Sequence, residues 1–183
     1  MRGKNVALMP GTNELWHDFW KSYVADPMMS DKQHFYDYDI CEKLYHNKMN
    51  DATRKYFSII HDGKVIGHIY LKHIDWNKKS SEYGIALIND SVKGKGYGTE
   101  AIALLLDYAF NVLGFEVITA NSALRNVRSQ HVLAKIGFVH THSDCNFKYY
   151  SFSRHSWTLT PPQTPPQPRD TMPLQSSADT VNS

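Results

Sequence analysis

In the stretch V-K-G-K-G-Y-G-T-E-A, from Val92 to Ala101, glycine takes positions 94, 96 and 98, between an apolar run and an apolar-periodic helix. Without a Cβ in the way, several backbone N–H groups can turn toward one point. The helix start adds unpaired amides and the positive end of its dipole, so the turn suits an anion such as a phosphate. Lys93 and Lys95 flank it, and Glu100 in the first helical turn suits the dipole. Spacing removes two phosphate binders. A P-loop needs G-x-x-x-x-G-K-[ST], and here Gly94-Lys95 is followed by Gly96. A dinucleotide fingerprint needs G-x-G-x-x-G in a parallel sheet, whereas this spacing is G-x-G-x-G behind expected antiparallel strands. His140, His142 and Cys145 are of metal-ligating types, but two histidines and a thiol do not close a tetrahedral site and no CxxC or HExxH completes them. No metal is expected.

The elements that must position this turn follow from periodicity. Asn5 to Met9 suits a first strand, and Asn13 is a candidate cap for a helix through Tyr23 with Leu15, Phe19 and Tyr23 on one face. After Asp26-Pro27, a turn-rich aromatic stretch leads to a helix near Ile40 to Lys48. Tyr56 to Ile60, the turn Asp62-Gly63 and Val65 to Leu71 predict a hairpin, and a polar loop W-N-K-K-S-S leads to a third antiparallel strand, Glu82 to Ile88. Past the glycines, Ile102, Leu105, Leu106, Ala109, Phe110 and Leu113 form one helical stripe, stopped by Gly114. Val117 to Ala120 reads as a strand, Asn126 to Lys135 as a helix closed by Gly137, Phe138-Val139 as the start of another strand and Tyr149 to Phe152 as a last one. A helical crossover joins the strand ending at Ile88 to that at Val117, so this pair is expected to be parallel and right-handed. The expected class is α+β, with a mixed, mostly antiparallel sheet of six or seven strands flanked by about four helices.

A chain of 183 residues with 42% hydrophobic content supports one sizeable core. The domain is expected over 1–157. Residues 158–183 repeat T-P-P-Q and then turn polar, a composition that reads as a Pro-rich disordered tail, with a P-x-x-P spacing at Pro162 and Pro165. Net charge is +2 with the ionic residues interspersed, which argues against a nucleic-acid partner. Two distant cysteines, Cys41 and Cys145, read as reduced thiols. The N-terminus is too short in apolar residues for a signal segment and the longest apolar run, Ala101 to Leu106, is too short for a membrane span, so the expectation is a cytoplasmic protein with no membrane partner.

Lys93-Gly94-Lys95-Gly96-Tyr97-Gly98 resembles the [R/Q]-x-x-G-x-[G/A] pyrophosphate loop of the GCN5-related N-acetyltransferase (GNAT) superfamily, with Lys93 in place of the usual Arg or Gln. A second segment, N-V-R-S-Q-H-V-L-A-K-I-G-F from Asn126 to Phe138, is similar to that family's next cofactor segment, and is closest to the subgroup that acetylates ribosomal protein N-termini. The resemblance spans about Asn5 to Phe152. It implies the acyl-CoA N-acyltransferase fold and acetyl-CoA as co-substrate. Main-chain groups near Ile85 and Leu87 would pair with pantetheine between two splayed strands, and Lys93, Gly94, Lys95, Gly96, Tyr97, Gly98 and Thr99 would hold the pyrophosphate. A parallel pair opened at its carboxyl ends is also where such sheets commonly bind ligands.

Acetylating an amine requires a base for its proton, stabilisation of an oxyanion and a proton for the leaving thiolate. By resemblance to the histone-acetylating branch, Glu82, eleven positions before Lys93, is the candidate base; it shares a strand face with the small Gly84 and Ala86. The bland alternative pairs Glu82 with a lysine or has it orient substrate. Many family members carry an acidic tyrosine at the Leu133 position. Ser129, on the same helical face as Asn126 and Leu133, resembles the serine of ribosomal-type members and is the candidate acid, against a serine bonded to its own helix. Asn126 would hold pantetheine or cap its helix.

Between Trp16 and Tyr45 lie eight aromatics with Asp18, Asp26, Asp31, Asp37, Asp39 and Glu42, on helices that the resemblance places around the acceptor. Such a lining suits a small cationic amine or a peptide N-terminus, and is equally the composition of a packed helical pair with an acidic rim. Three functions stay open: an N-acetyltransferase, a catalytically weak acyl-CoA-binding module or sensor, and an interaction protein working through the tail. A homodimer is compatible with each.

Overall fold

The computed structural model describes residues 1–29 and 33–159. The proline repeats and Asp31 lie outside the described residues. A seven-stranded sheet runs in the order β1-β2-β3-β4-β5-β7-β6. Its strands are β1 (Ala7–Pro10), β2 (Lys55–His61), β3 (Lys64–Asp75), β4 (Ser80–Leu87), β5 (Val117–Ala123), β6 (Val139–Ser143) and β7 (Phe147–Ser153). Every neighbouring pair is antiparallel except β4 and β5. That exception is the pair joined by a helix, as the crossover requires.

The β2–β3 hairpin turns on Asp62 and Gly63, both at positive φ (47° and 74°), the conformation a two-residue loop needs to match strand twist. β3 is longer than its apolar pattern suggests. It continues past Leu71 to Asp75 through an irregularity after Lys72, where His73 takes a φ of 52°. β4 opens at Ser80, which shortens the expected polar loop.

Among the described residues there are five α-helices: α1 (Asn13–Ser22), α2 (Tyr38–Met49), α3 (Tyr97–Asp107), α4 (Val127–Ile136) and α5 (Arg154–Leu159). Thr12, not Asn13, caps α1, accepting from the Leu15 amide, because Asn13 is drawn to Glu42 at 2.7 Å. Asp37 caps α2, which begins at Tyr38, two residues before the expected start. The stripe after the glycines is buried as anticipated, with Ile102, Leu105, Leu106, Ala109 and Phe110 packed between α3 and the sheet against Ile69, Leu71 and Ile118. Its last turn, Tyr108–Val112, widens to π geometry before Gly114 stops it at a φ of 71°.

α5 was not expected from the sequence, since it adjoins the polar tail. Trp157 seats it, 7% exposed, with ring centroids 6.1 Å from Phe110 and 6.3 Å from Phe152. Trp157→Ala should therefore destabilise the fold by about 3 kcal/mol, the scale of a deleted buried ring, measured by urea unfolding. A change under about 1 kcal/mol would show that α5 merely rests on the domain.

Candidate active site

β4 and β5 are paired only at Ser80↔Val117, Ser81↔Ile118 and Glu82↔Thr119. Beyond that point β4 continues to Leu87 and β5 to Ala123 without pairing to each other, which opens the sheet at the carboxyl ends of its one parallel pair. A cleft of about 450 Å³ occupies this opening.

Strand alternation gives the cleft two faces. Tyr83 and Ile85 pair across with Leu71 and Ile69, on the side of the sheet covered by α3. Glu82, Gly84 and Ala86 pair with Lys72, Tyr70 and His68, on the side covered by α1. The site thus passes through the sheet, with the glycine turn on one face and a carboxylate on the other.

The glycine turn follows a short 3-10 turn, Asp90–Val92, that Asn89 caps through the Ser91 amide. Gly94 and Gly96 have φ of 75° and 86°, and a Cβ at either would meet nothing within 4 Å. Glycine is required there by backbone conformation rather than by packing. Gly96 is the N-cap of α3 and supplies no side-chain hydrogen bond, so the first amides of the helix lack a side-chain partner. An anion seated there would satisfy them, the observation that makes a diphosphate fit this cradle.

Gly94, Gly96, Gly98 and Thr99 line the cleft together with Ile85 and Leu87. Lys95 and Tyr97 do not: Lys95 is exposed, and Tyr97 turns toward His61, its hydroxyl 2.8 Å from Nε2. Lys93 lines the cleft with its ammonium already held, 2.5 Å from Asp26 and 2.9 Å from Asp90. Burial works against ionising Asp26 but is outweighed by hydrogen bonds from Lys93 and the Met28 amide, so its pKa falls below the usual carboxylate value. The Lys93 pKa rises, because the two carboxylates outweigh the cost of burial. Lys93 is thus a strap between the glycine turn and the loop after α1.

On the other face, Glu82 sits where the strands part and is 19% exposed. Its Oε1 accepts from Lys72 Nζ at 2.8 Å and Asn121 Nδ2 at 2.6 Å, and Oε2 lies 3.3 Å from His73 Nδ1. The neighbouring Gly84 does not leave open space, as its small size suggests; a Cβ there would stand 2.5 Å from the ring of Tyr70, which lies across it. Burial pushes the Tyr70 and Tyr23 hydroxyl pKa values up, so both rings stay neutral donors at the cleft wall.

α4 packs beside α3 and closes the first face. Asn126 lines the cleft and caps α4, its Oδ1 accepting from the Ser129 amide at 3.0 Å. Ser129 also lines the cleft, and among the described residues its hydroxyl has no hydrogen-bond partner. Leu133 is 1% exposed and belongs to the core, so the helix does not present that position to the cleft. Arg128, His131 and Lys135 do line it, a basic stripe at i, i+3 and i+7 that a different helical phase in the second segment would have revealed.

Among the described residues, the stretch from Trp16 to Tyr45 contributes Tyr23, Asp26 and Met29 to the cleft. Phe35 and Tyr38 are exposed, while two of its Trp, Tyr and Phe rings are buried: Trp16 and Phe19 stack on His68, at 5.9 and 4.1 Å, and burial pushes that imidazole down to about 3. Glu42 is taken up by Asn13, His17 and His46. Among the described residues no group of three or more His, Cys, Asp or Glu is placed to hold a metal, and no helix is long and apolar enough to cross a membrane.

Known proteins share this frame. The chain is 30% identical over 95 residues to the spermidine N(1)-acetyltransferase of Escherichia coli K12, covering 52% of this chain and 50% of that protein. It is 28% identical over 111 residues to YdaF of Bacillus subtilis, described as a candidate ribosomal N-acetyltransferase, covering 54% and 59%. The chain thus spans about half the length of the curated relatives it matches. Among solved structures, a chimera of the Vibrio cholerae spermidine N-acetyltransferase SpeG and hSSAT superposes with a TM-score of 0.74 at 20% identity, over 85% of this chain and 99% of that one. The V. cholerae enzyme in complex with CoA and spermine gives 0.68 at 20% identity, over 84% and 98%. These structural likenesses are of fold. A family model described as an acetyltransferase (GNAT) domain matches residues 7–139, from the first strand through the glycine turn and α4, and the chain belongs to that family.

Proposed function

We propose that this protein transfers the acetyl group of acetyl-CoA to a primary amine in a ternary complex, without a metal. The opening between β4 and β5, set against an uncapped glycine helix start, carries the proposal. Relatives named for amine acetylation support it. Acetyl-CoA supplies an activated thioester when bound. The amides of the glycine turn, with Lys93 nearby, hold its diphosphate, Ile85 and Leu87 offer the free edge of β4 to pantetheine, and Asn126 faces the same channel.

Direct attack requires a neutral amine, and a primary amine near pKa 10 is protonated at neutral pH. Glu82, on the opposite face, accepts that proton directly or through water, with Lys72 and Asn121 fixing its orientation. Ser129 donates to the departing sulfur from the end of α4.

The test is release of free thiol from acetyl-CoA with a panel of amines and short peptides. Acetyl-CoA binding without amine-dependent thiol release would favour an acyl-CoA-binding module. Ser129→Ala should lower kcat about tenfold with unchanged thermal stability, because the cap uses its amide and not its hydroxyl. An unchanged kcat would leave the thiolate to be protonated by water.

A further inference from the structure

The acceptor half of the cleft lies on the α1 face, and its charges are already matched. Four charged side chains of the cleft stand on or beside it: Asp26 and Glu82, and Lys93 and Lys72. They form two pairs, Asp26 with Lys93 at 2.5 Å and Glu82 with Lys72 at 2.8 Å. Both oxygens of Glu82 are engaged, the second near His73 at 3.3 Å. The remaining charged side chains lining the cleft, Arg128 and Lys135, are cationic. Among the described residues no further carboxylate lines the cleft to receive a second ammonium. A polycationic acceptor would have to break one of these part-buried pairs, which strands Lys72 at Glu82 and leaves Lys93 to the exposed Asp90 alone at Asp26, or keep its extra charges unpaired beside Lys72 and Lys93.

The walls suit another kind of molecule. Tyr70 lies across Gly84, and burial raises the hydroxyl pKa of both Tyr70 and Tyr23, so each presents a neutral aromatic surface. Met29 and Phe147 add apolar surface.

We infer that the acceptor is a primary monoamine with an apolar or aromatic body, and that the site discriminates against polyamines. The inference rests on the transferase reading above and narrows its substrate class. The single amine gives its one extra proton to Glu82 before it attacks, so it asks for no permanent counter-charge, while its body lies along the tyrosines.

A matched pair separates charge from size: butylamine against 1,4-diaminobutane, with 2-phenylethylamine and spermidine as extended versions. With the full chain and saturating acetyl-CoA, kcat/KM from thiol release should be at least tenfold higher for butylamine than for the diamine, and higher for 2-phenylethylamine than for spermidine. Equal or better use of the diamine or of spermidine overturns the inference. If no amine releases thiol, the transferase reading itself fails. The charge inference is then read by calorimetry on the coenzyme A-loaded protein, where tighter binding of butylamine upholds it. Equal or tighter binding of the diamine, or binding of neither, overturns it.

Discussion

Gly96→Asp is expected to weaken acetyl-CoA binding about a hundredfold while leaving the chain folded. Two effects act in the same direction. Gly96 holds a φ of 86°, where a residue with a Cβ costs roughly 1–2 kcal/mol. No atom lies within 4 Å of the new Cβ, so the cost is backbone strain alone. The larger effect is electrostatic. Aspartate at the N-cap places its carboxylate on the amides that the diphosphate would use, both competing for the seat and repelling it. At an effective dielectric of about 20, a carboxylate about 5 Å from one phosphate charge costs roughly 3 kcal/mol, about two orders of magnitude in affinity. Gly96→Asn is the control, since asparagine tolerates the left-handed conformation and carries no charge; its loss should stay within about tenfold. Calorimetric titration of acetyl-CoA into both variants measures this. Equal losses in the two would mean that the helix start is not the anion seat.

The glycine turn was readable from residue types because positive φ leaves a direct chemical mark: only glycine adopts it freely, and two of the three alternate glycines do. The mixed sheet was readable for a similar reason, since period-two runs, a two-residue turn and one helical crossover leave few arrangements. What the chain does with its charges was hidden. Lys93 meets Asp26 across 67 positions, and nothing local to either residue announces the other. Lys72 meets Glu82 by cross-strand register, at the edge of an irregularity in β3 that no hydrophobic pattern encodes. The ring-rich stretch from Trp16 to Tyr45 has the composition of a binding wall and of a core alike; only packing shows that Trp16, Phe19 and Trp20 close around His68. Helical phase misled at Leu133, where a shared face with Asn126 and Ser129 was expected and the core took the side chain. Over two turns that face spans both cleft and interior, so spacing alone does not separate them.

The second large effect is expected at Glu82. Glu82→Gln should lower kcat about a hundredfold or more while leaving acetyl-CoA affinity unchanged, because a general base typically contributes 10²–10⁴ in rate and this one sits across the sheet from the glycine turn. The pH profile distinguishes a base from a carboxylate that only steadies Lys72. With the base in place, the rate does not wait on free amine in solution. Without it, the reaction waits for free amine already present in solution, and the rate climbs about tenfold per pH unit toward the amine pKa near 10. A purely structural Glu82 gives a different result: glutamine keeps the oxygen that Asn121 and Lys72 donate to at 2.6 and 2.8 Å, so kcat and the shape of the profile would stay as they are. The uncompensated Lys72 ammonium would then show only as lower stability, since removing one partner of a part-buried pair leaves a charge with no counterpart. A rate loss that steepens with falling pH therefore assigns proton transfer to Glu82, and a stability loss with an unchanged profile removes it from the chemistry.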